Sequence, residues 1–123
     1  MKYGDKVITI ELEGKVFNCA MDLTMSFIGG KWKTVILWYL IKEKKRFSEF
    51  KKLIPGITER MLSLQLKELE KDGLIKREVS SEERPVKVIY SMTKFGKTLI
   101  PILEKISDWG REVGKSKGII RFS

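Results

Sequence analysis

The chain of 123 residues is 42% hydrophobic, which suits one domain with an ordinary core. Its 25 lysines and arginines against 16 acidic residues give a formal charge of +9, so we expect a polyanionic partner or a basic surface that only keeps the protein in solution. With no histidine and a single cysteine, the sequence argues against catalysis, a metal site or a cofactor.

The N-terminal eighteen residues have the pattern of an extended arm. Val7–Leu12 is rich in β-forming residues, and Glu13-Gly14-Lys15 has the pattern of a turn before Val16-Phe17, which predicts a short hairpin. Apolar residues from Met21 to Ile28 fit a short helix loosely, and Gly29-Gly30 ends it.

Two further helices are predicted before residue 57. Apolar side chains recur every three or four residues from Lys31 to Lys42, with Lys33 and Lys42 off that stripe, which predicts a helix packed in the core. Ser48 is a good N-cap for a helix of only two turns, which Pro55-Gly56 must end.

A longer amphipathic helix is predicted to begin after Thr58, a favourable N-cap, and to end at Asp72-Gly73. Its apolar face consists of Leu62, Leu66 and Leu69. A short helix, a turn with glycine and a longer amphipathic helix form the helix-turn-helix pattern.

A β-hairpin and a final helix are predicted next. Leu74–Val79 and Val86–Met92 read as strands joined by a polar tip, and Thr93 caps the helix that follows. Apolar residues in this helix alternate spacings of four and three, as in helices that pair, and they are Phe95, Leu99, Ile102, Ile106, Trp109 and Val113. Pro101 lies inside this pattern, costs one backbone hydrogen bond and should kink or loosen the helix near Lys97.

The order helix, helix-turn-helix, hairpin, helix predicts a winged helix-turn-helix, whose second motif helix enters the major groove of double-stranded DNA. On the face of that helix opposite the leucines we expect Arg60 to read bases, Lys67 and Lys71 to touch phosphates, and Ser63 and Leu64 to contact DNA, with Thr58 both capping the helix and contacting phosphate. At the hairpin, Arg84 is a candidate for the minor groove, and Arg77 and Lys87 for the DNA backbone. The nearby Lys44, Lys45, Arg46, Lys51 and Lys52 extend the positive surface.

Three alternatives remain open at this stage. Leu64 is also explained as an ordinary exposed leucine, and the hairpin tip as a solvated turn. A protein-interaction module on the same fold is the alternative function, although its docking face should be apolar or aromatic, whereas this one carries Arg60, Lys67 and Lys71.

The combined motifs resemble the HxlR-type family of bacterial transcription regulators. The matching residues include Gly29-Gly30-Lys31-Trp32, Arg46-Phe47-Ser48-Glu49-Phe50, Ile54-Pro55-Gly56-Ile57-Thr58, Gly73-Leu74-Ile75, Tyr90-Ser91-Met92-Thr93, Gly96, Pro101 and Trp109. The resemblance implies a homodimer on a pseudo-palindromic operator, with repression as the expected output. It also implies terminal helices that form the dimer interface, where we expect Leu99, Ile102, Ile106, Trp109 and Val113.

The resemblance further implies a response to oxidants or electrophiles through a cysteine before the first core helix, the place that Cys19 occupies. A thiol senses only if it is accessible and its thiolate is favoured, and a free cysteine is also often a small buried apolar residue. Ala20 follows Cys19 where the family usually has proline. Both interpretations of Cys19 stay open, and so does an effector, whether an oxidant or a small molecule.

We therefore expect an α+β fold, mainly α, in one domain. The expected parts are an N-terminal arm (1–18), a DNA-binding core (19–92) with its wing at about 74–92, a dimerisation helix (93–115) and a flexible tail (116–123). Because no apolar run suits a signal peptide or a membrane span, we expect a cytoplasmic protein that does not bind membranes.

Overall fold

The computed structural model describes residues 2–3, 6–7, 9–82, 84–118 and 120–121. These residues contain seven short strands and six helices. The strands are β1 (Lys2–Tyr3), β2 (Lys6–Val7), β3 (Ile10–Leu12), β4 (Lys15–Phe17), β5 (Lys45–Arg46), β6 (Ile75–Ser80) and β7 (Lys87–Met92). The helices are α1 (Ala20–Ile28), α2 (Lys33–Leu40), α3 (Phe47–Leu53), α4 (Glu59–Lys71), α5 (Lys94–Lys97) and α6 (Ile100–Lys117).

The N-terminal arm contains two local antiparallel pairs. β3 pairs with β4 in the register Ile10↔Phe17, so the predicted hairpin is confirmed, but Lys15 of the predicted turn belongs to β4, where it pairs with Leu12. The strand predicted from Val7 is wrong at its start, because Val7 belongs to β2 and pairs with Lys2 of β1. Residue 8 of that predicted strand lies outside the described residues.

The core is centred on α2. Ile36, Leu37 and Leu40 are buried there, and the helix is shorter than the pattern from Lys31 to Lys42 predicts. The amphipathic stripe does not single out Leu37. It is buried because α2 has neighbours on more than one side, packing on β7 and lying beside Leu103 of α6.

The helix-turn-helix consists of α3, the turn around Gly56 and α4. The predicted cap at Ser48 is wrong, because Arg46 is extended as part of β5 and α3 begins directly after it. The carboxylate of Glu49 accepts a hydrogen bond from the Arg46 backbone N–H at 2.9 Å. Gly56 (φ +86) and Gly73 (φ +78) take the left-handed conformation that glycine adopts without steric cost, in the turn and after α4.

A three-stranded antiparallel sheet in the order β5-β7-β6 carries the wing. The predicted hairpin is confirmed with three of its four bounds shifted by one residue, and its register runs from Ile75↔Met92 to Ser80↔Lys87. β5 was not predicted, because a charged two-residue strand has no pattern of its own and forms only by pairing with β7.

The C-terminal segment is two helices with a break at Thr98 and Leu99. The predicted loosening near Lys97 is thus confirmed, but the predicted cost of Pro101 is wrong. Pro101 lies in the first turn of α6, where its missing N–H has no intrahelical partner to lose. α6 continues to Lys117, so the predicted tail boundary at residue 116 is two residues early, and residues 119, 122 and 123 of that tail lie outside the described residues.

Thr93 joins the wing to the C-terminal helices. Its backbone N–H donates to the Leu74 carbonyl at 3.1 Å, and its hydroxyl donates to the Gly73 carbonyl at 2.6 Å. The same hydroxyl oxygen accepts from the Gly96 backbone N–H at 2.9 Å, which caps α5. A Cβ on Gly96 would collide with the Leu74 carbonyl oxygen, so α5 packs on the base of β6 through bare backbone.

Candidate nucleic-acid interface

Helix α4 has two chemically opposite faces. The side chains of Leu62, Leu66 and Leu69 are all buried in the core, as the periodicity predicts. On the outer side Arg60, Leu64, Lys67 and Lys71 are exposed, and Ser63 beside them is half-buried. The helix therefore presents a cationic surface to solvent on an apolar base.

The ends of α4 follow ordinary helix chemistry. The Thr58 hydroxyl accepts a hydrogen bond from the Met61 backbone N–H at 3.0 Å, so the predicted cap is confirmed. Glu59 in the first turn and Lys71 in the last complement the helix dipole. A phosphate contact by Thr58 stays a prediction.

An ion pair between α2 and α4 was missed by sequence reasoning. Lys33 Nζ lies 2.9 Å from Glu68 Oε2, and the Lys33 side chain is only 12% exposed. The helical pattern puts Lys33 off the apolar stripe and gives no sign of its partner 35 positions along the chain. The pair ties the flank of α4 to the central helix of the core.

The wing carries its basic residues on two faces. Arg77 pairs across the hairpin with Tyr90, and Lys87 with Ser80, which puts Arg77 and Lys87 on opposite faces because successive side chains alternate along a strand. Arg84 Nη1 at the tip donates to the Ser81 carbonyl at 2.6 Å. The two flanking residues are thus placed for separate contacts on either side of the hairpin.

The positive surface near the motif is smaller than predicted. Lys45 is wrong as a surface residue, because pairing of β5 with β7 buries it and its Nζ lies 3.0 Å from Glu43 Oε1. Lys51 is half-buried and donates to the Ile57 carbonyl at 2.5 Å across the motif's turn. Lys44, Arg46 and Lys52 are exposed as expected.

Helix α6 exposes apolar side chains. Ile102, Ile106 and Trp109 are exposed on one face, Trp109 by 72%, while Leu99 and Val113 are half-buried. Leu103, which the seam pattern does not include, is the buried residue of this helix. The predicted interface residues thus share a face, and three of them are left uncovered by the chain's own core.

Cys19 is the N-cap residue of α1, which begins one residue earlier than the predicted Met21. Its thiol is free and half-buried, and its side chain makes no capping hydrogen bond. This placement fits neither a fully packed apolar residue nor a fully exposed sensor, so its role stays a prediction.

A helix-turn-helix with an outward cationic helix and a flanking hairpin defines a winged helix-turn-helix DNA-binding protein. The family model described as HxlR-like helix-turn-helix matches residues 27–117. The chain belongs to the HxlR-like helix-turn-helix family, and the α+β, mainly helical fold class is confirmed.

Similar proteins are named as regulators of transcription. The uncharacterized HTH-type transcriptional regulator YdeP of Bacillus subtilis (strain 168) is 54% identical over 95 residues, 77% of this chain and 73% of its own. YybR of the same organism, with the same description, is 45% identical over 110 residues, 85% of this chain and 87% of its own. The redox regulator HypR in its oxidized form has a TM-score of 0.74 at 49% identity, covering 76% of this chain and 96% of that chain.

The chain is therefore a DNA-binding regulator of transcription, and its family is one of regulators and not of enzymes. In the part of the chain that the structure describes, no helix combines the length and the apolar character needed to cross a bilayer.

Proposed function

We propose that the chain is a cytoplasmic homodimeric repressor that binds a pseudo-palindromic operator, with one α4 helix in the major groove of each half-site. The observation that carries the proposal is the outer face of α4, where Arg60, Lys67 and Lys71 stand exposed over a base of buried leucines. A groove of DNA is polyanionic and wide enough for an α-helix, and this face is cationic and free of covering chain.

The proposed homodimer is supported by the exposed apolar face of α6. Trp109 and the isoleucines at 102 and 106 would stay in contact with water in a single chain, which is unfavourable for large apolar side chains on one face. A second copy related by a two-fold axis covers the same face on both helices. Two α4 helices then address half-sites one duplex turn apart, about 34 Å, which requires an inverted repeat in the operator.

The residues of the DNA surface divide by the contacts they suit. Arg60 in the first turn of α4 suits a bidentate contact with guanine, and Ser63 and Leu64 lie beside it for a hydroxyl contact and a thymine methyl. Lys67 and Lys71 suit phosphates, as do Thr58 at the helix start and Arg77 and Lys87 on the two faces of the wing. Arg84 at the wing tip is assigned to the minor groove. Repression requires only that the bound dimer exclude polymerase.

Operator mapping followed by quantitative binding tests the proposal. A genome-wide footprint is expected to yield inverted repeats about one turn apart, and the purified protein should bind such a duplex far more tightly than a scrambled duplex of equal composition. Binding should weaken as salt rises, because the lysines displace counterions. A weak, salt-insensitive interaction without sequence preference contradicts the proposal and indicates a protein-interaction module.

Regulation by oxidants through Cys19 is the second part of the proposal. The thiol is partly accessible at the start of α1, and HypR is described as a redox regulator. Operator binding by the parent protein should change on treatment with diamide, and Cys19→Ser should abolish that change without altering untreated binding. An equal response of Cys19→Ser to diamide contradicts a sensing role, since this is the single cysteine of the chain.

A further inference from the structure

A cavity of about 790 Å³ lies between α2, α3 and α6, and its lining includes none of the side chains proposed above to contact DNA. Its size is typical of sites for small organic ligands. The lining consists of Trp38, Tyr39, Ile41, Lys42, Glu43, Lys45, Glu49, Lys52, Leu53 and Glu104. Walls therefore come from the first helix of the motif, from the central helix and from the helix of the proposed dimer face.

Lys45 supplies this cavity with a buried ammonium group. The residue is only 6% exposed, and among the described residues its Nζ has one partner, Glu43 Oε1 at 3.0 Å. An ammonium has three N–H donors, so its hydrogen-bonding capacity is incompletely used by this contact. The Glu43 side chain is 71% exposed, so its carboxylate loses little by turning to water. A second carboxylate can therefore take its place on Lys45.

The remaining walls favour an anion with an apolar body. Trp38 and Leu53, each 38% exposed, offer apolar surface, and Lys42 and Lys52 are exposed at the lining. Glu49 already accepts the Arg46 N–H and is not free to hold a cation through that oxygen. Glu104 on α6 has no partner among the residues described, and its charge opposes a second acidic group on that side of the ligand.

We propose that this cavity binds a small monocarboxylic acid with an aromatic or apolar body, whose carboxylate replaces that of Glu43 on the Lys45 ammonium. The occupant contacts both α3 and α6, so it sets how the motif is held relative to the dimer face and thereby changes operator affinity. This inference goes beyond the proposed function and assigns a ligand class to a site that DNA does not use.

The direct test uses benzoate, with benzamide as a neutral probe of the same shape. Binding to the full-length protein is followed by the indole N–H signals of the three tryptophans in ¹⁵N spectra, with the Trp38 signal assigned from Trp38→Phe. Benzoate should shift the Trp38 signal saturably and bind about tenfold more tightly than benzamide, because a charge-assisted hydrogen bond is made only by the acid.

Two substitutions should act in opposite directions on that preference. Lys45→Met keeps the length and apolar stem and should abolish the preference for benzoate over benzamide, while Lys44→Met, the same change one residue earlier, should leave it intact. Glu43→Gln removes the competing carboxylate from an exposed position and should strengthen benzoate binding by about threefold. Equal affinities for the two probes, or no effect of Glu43→Gln, overturns the ligand assignment. An unmoved Trp38 signal overturns it too, and is the result expected if a second copy of the chain fills the cavity.

Operator binding measured in the same samples separates the two proposals. Saturating benzoate should change operator affinity at least threefold in the parent protein and not in Lys45→Met. An unchanged operator affinity with benzoate bound overturns the regulatory coupling. Failure of the protein to bind an operator without benzoate contradicts the proposed function instead, and leaves the ligand result to be judged on the indole signals alone.

Discussion

Helices α4 and α6 are both amphipathic, but they differ in which face is left to solvent. α4 buries Leu62, Leu66 and Leu69 in the core and exposes cations, so its outward surface is stable in water and suits a charged partner. α6 buries Leu103 and exposes Ile102, Ile106 and Trp109, a surface that water disfavours. The comparison indicates two partners of different chemistry, a polyanion at α4 and a second apolar surface at α6.

The largest expected effect is at α6, with Trp109→Glu. A carboxylate buried in an apolar dimer interface is strongly unfavourable, so the homodimer dissociation constant should rise by roughly a hundredfold or more. Specific operator binding should fall with it, since one chain covers only a half-site. Sedimentation equilibrium measures the first effect and fluorescence anisotropy with operator DNA the second.

Arg111→Glu is the matched control for that change. It places a carboxylate on the same helix at an exposed position roughly half a turn away from Trp109. This variant should remain dimeric, and both variants should keep the helical circular dichroism of the parent. Dimerisation that survives Trp109→Glu would show that α6 is not the apolar interface, and the contrast with α4 would lose its meaning.

The next effect compares the two faces of α4 through two leucines. Leu66→Ala creates a cavity in the core and should lower the free energy of unfolding by about 2–5 kcal/mol. Leu64→Ala removes an exposed side chain and should change it by less than about 0.5 kcal/mol. Urea denaturation measures both values, and similar losses for the two leucines would contradict the assignment of inner and outer faces.

Arg60→Ala tests base recognition by the outer face. Loss of a bidentate guanine contact should weaken operator binding by about 1–3 kcal/mol and relax the preference at one base pair, with little effect on random DNA. Anisotropy titrations against the operator and its single-base variants measure the preference. Arg60 does not read sequence if cognate and random DNA lose affinity equally.

The smallest expected effect is that of Lys67→Ala. A phosphate contact carries no sequence information, so all duplexes should lose affinity alike, and the slope of log affinity against log salt should fall in magnitude by about 1. Titrations at several salt concentrations give the slope. A loss confined to the operator would instead move Lys67 into the group of base-reading residues.

Most of the helix-turn-helix could be predicted from sequence because its signals are local. The Thr58 cap, the leucine periodicity of α4 and the left-handed Gly73 each act within a few residues, and the structure has all three. β5 and the start of α3 could not be predicted in this way. Arg46 ends a strand because it pairs with Ile89, a contact between residues far apart in the chain.

The candidate DNA-binding site shows the same difference between local features, which the sequence predicts, and contacts between distant residues, which it does not. Exposure of Arg60 and Lys67 follows from helical period alone, and it was predicted. Glu68 pairs with Lys33, and the Ile57 carbonyl accepts from Lys51. Both contacts depend on how the elements pack, so they could not be predicted from composition, which counts every lysine as a surface charge. Burial of Lys45, the basis of the proposed ligand cavity, is the strongest case, since a run of three basic residues has the pattern of a solvated loop.

The hydroxyl of Thr93 bonds to Gly73 after α4 and to Gly96 of α5, and its backbone N–H bonds to Leu74 just before β6. Gly96 packs directly against the Leu74 carbonyl, so a side chain at position 96 would collide with it. These bonds fix α4, the wing and α5 relative to one another, and the turn at Thr98 and Leu99 then sets the direction in which α6 leaves α5. In the proposed dimer, a change in the length or direction of α6 would therefore alter the distance between the two α4 helices without changing α4 itself.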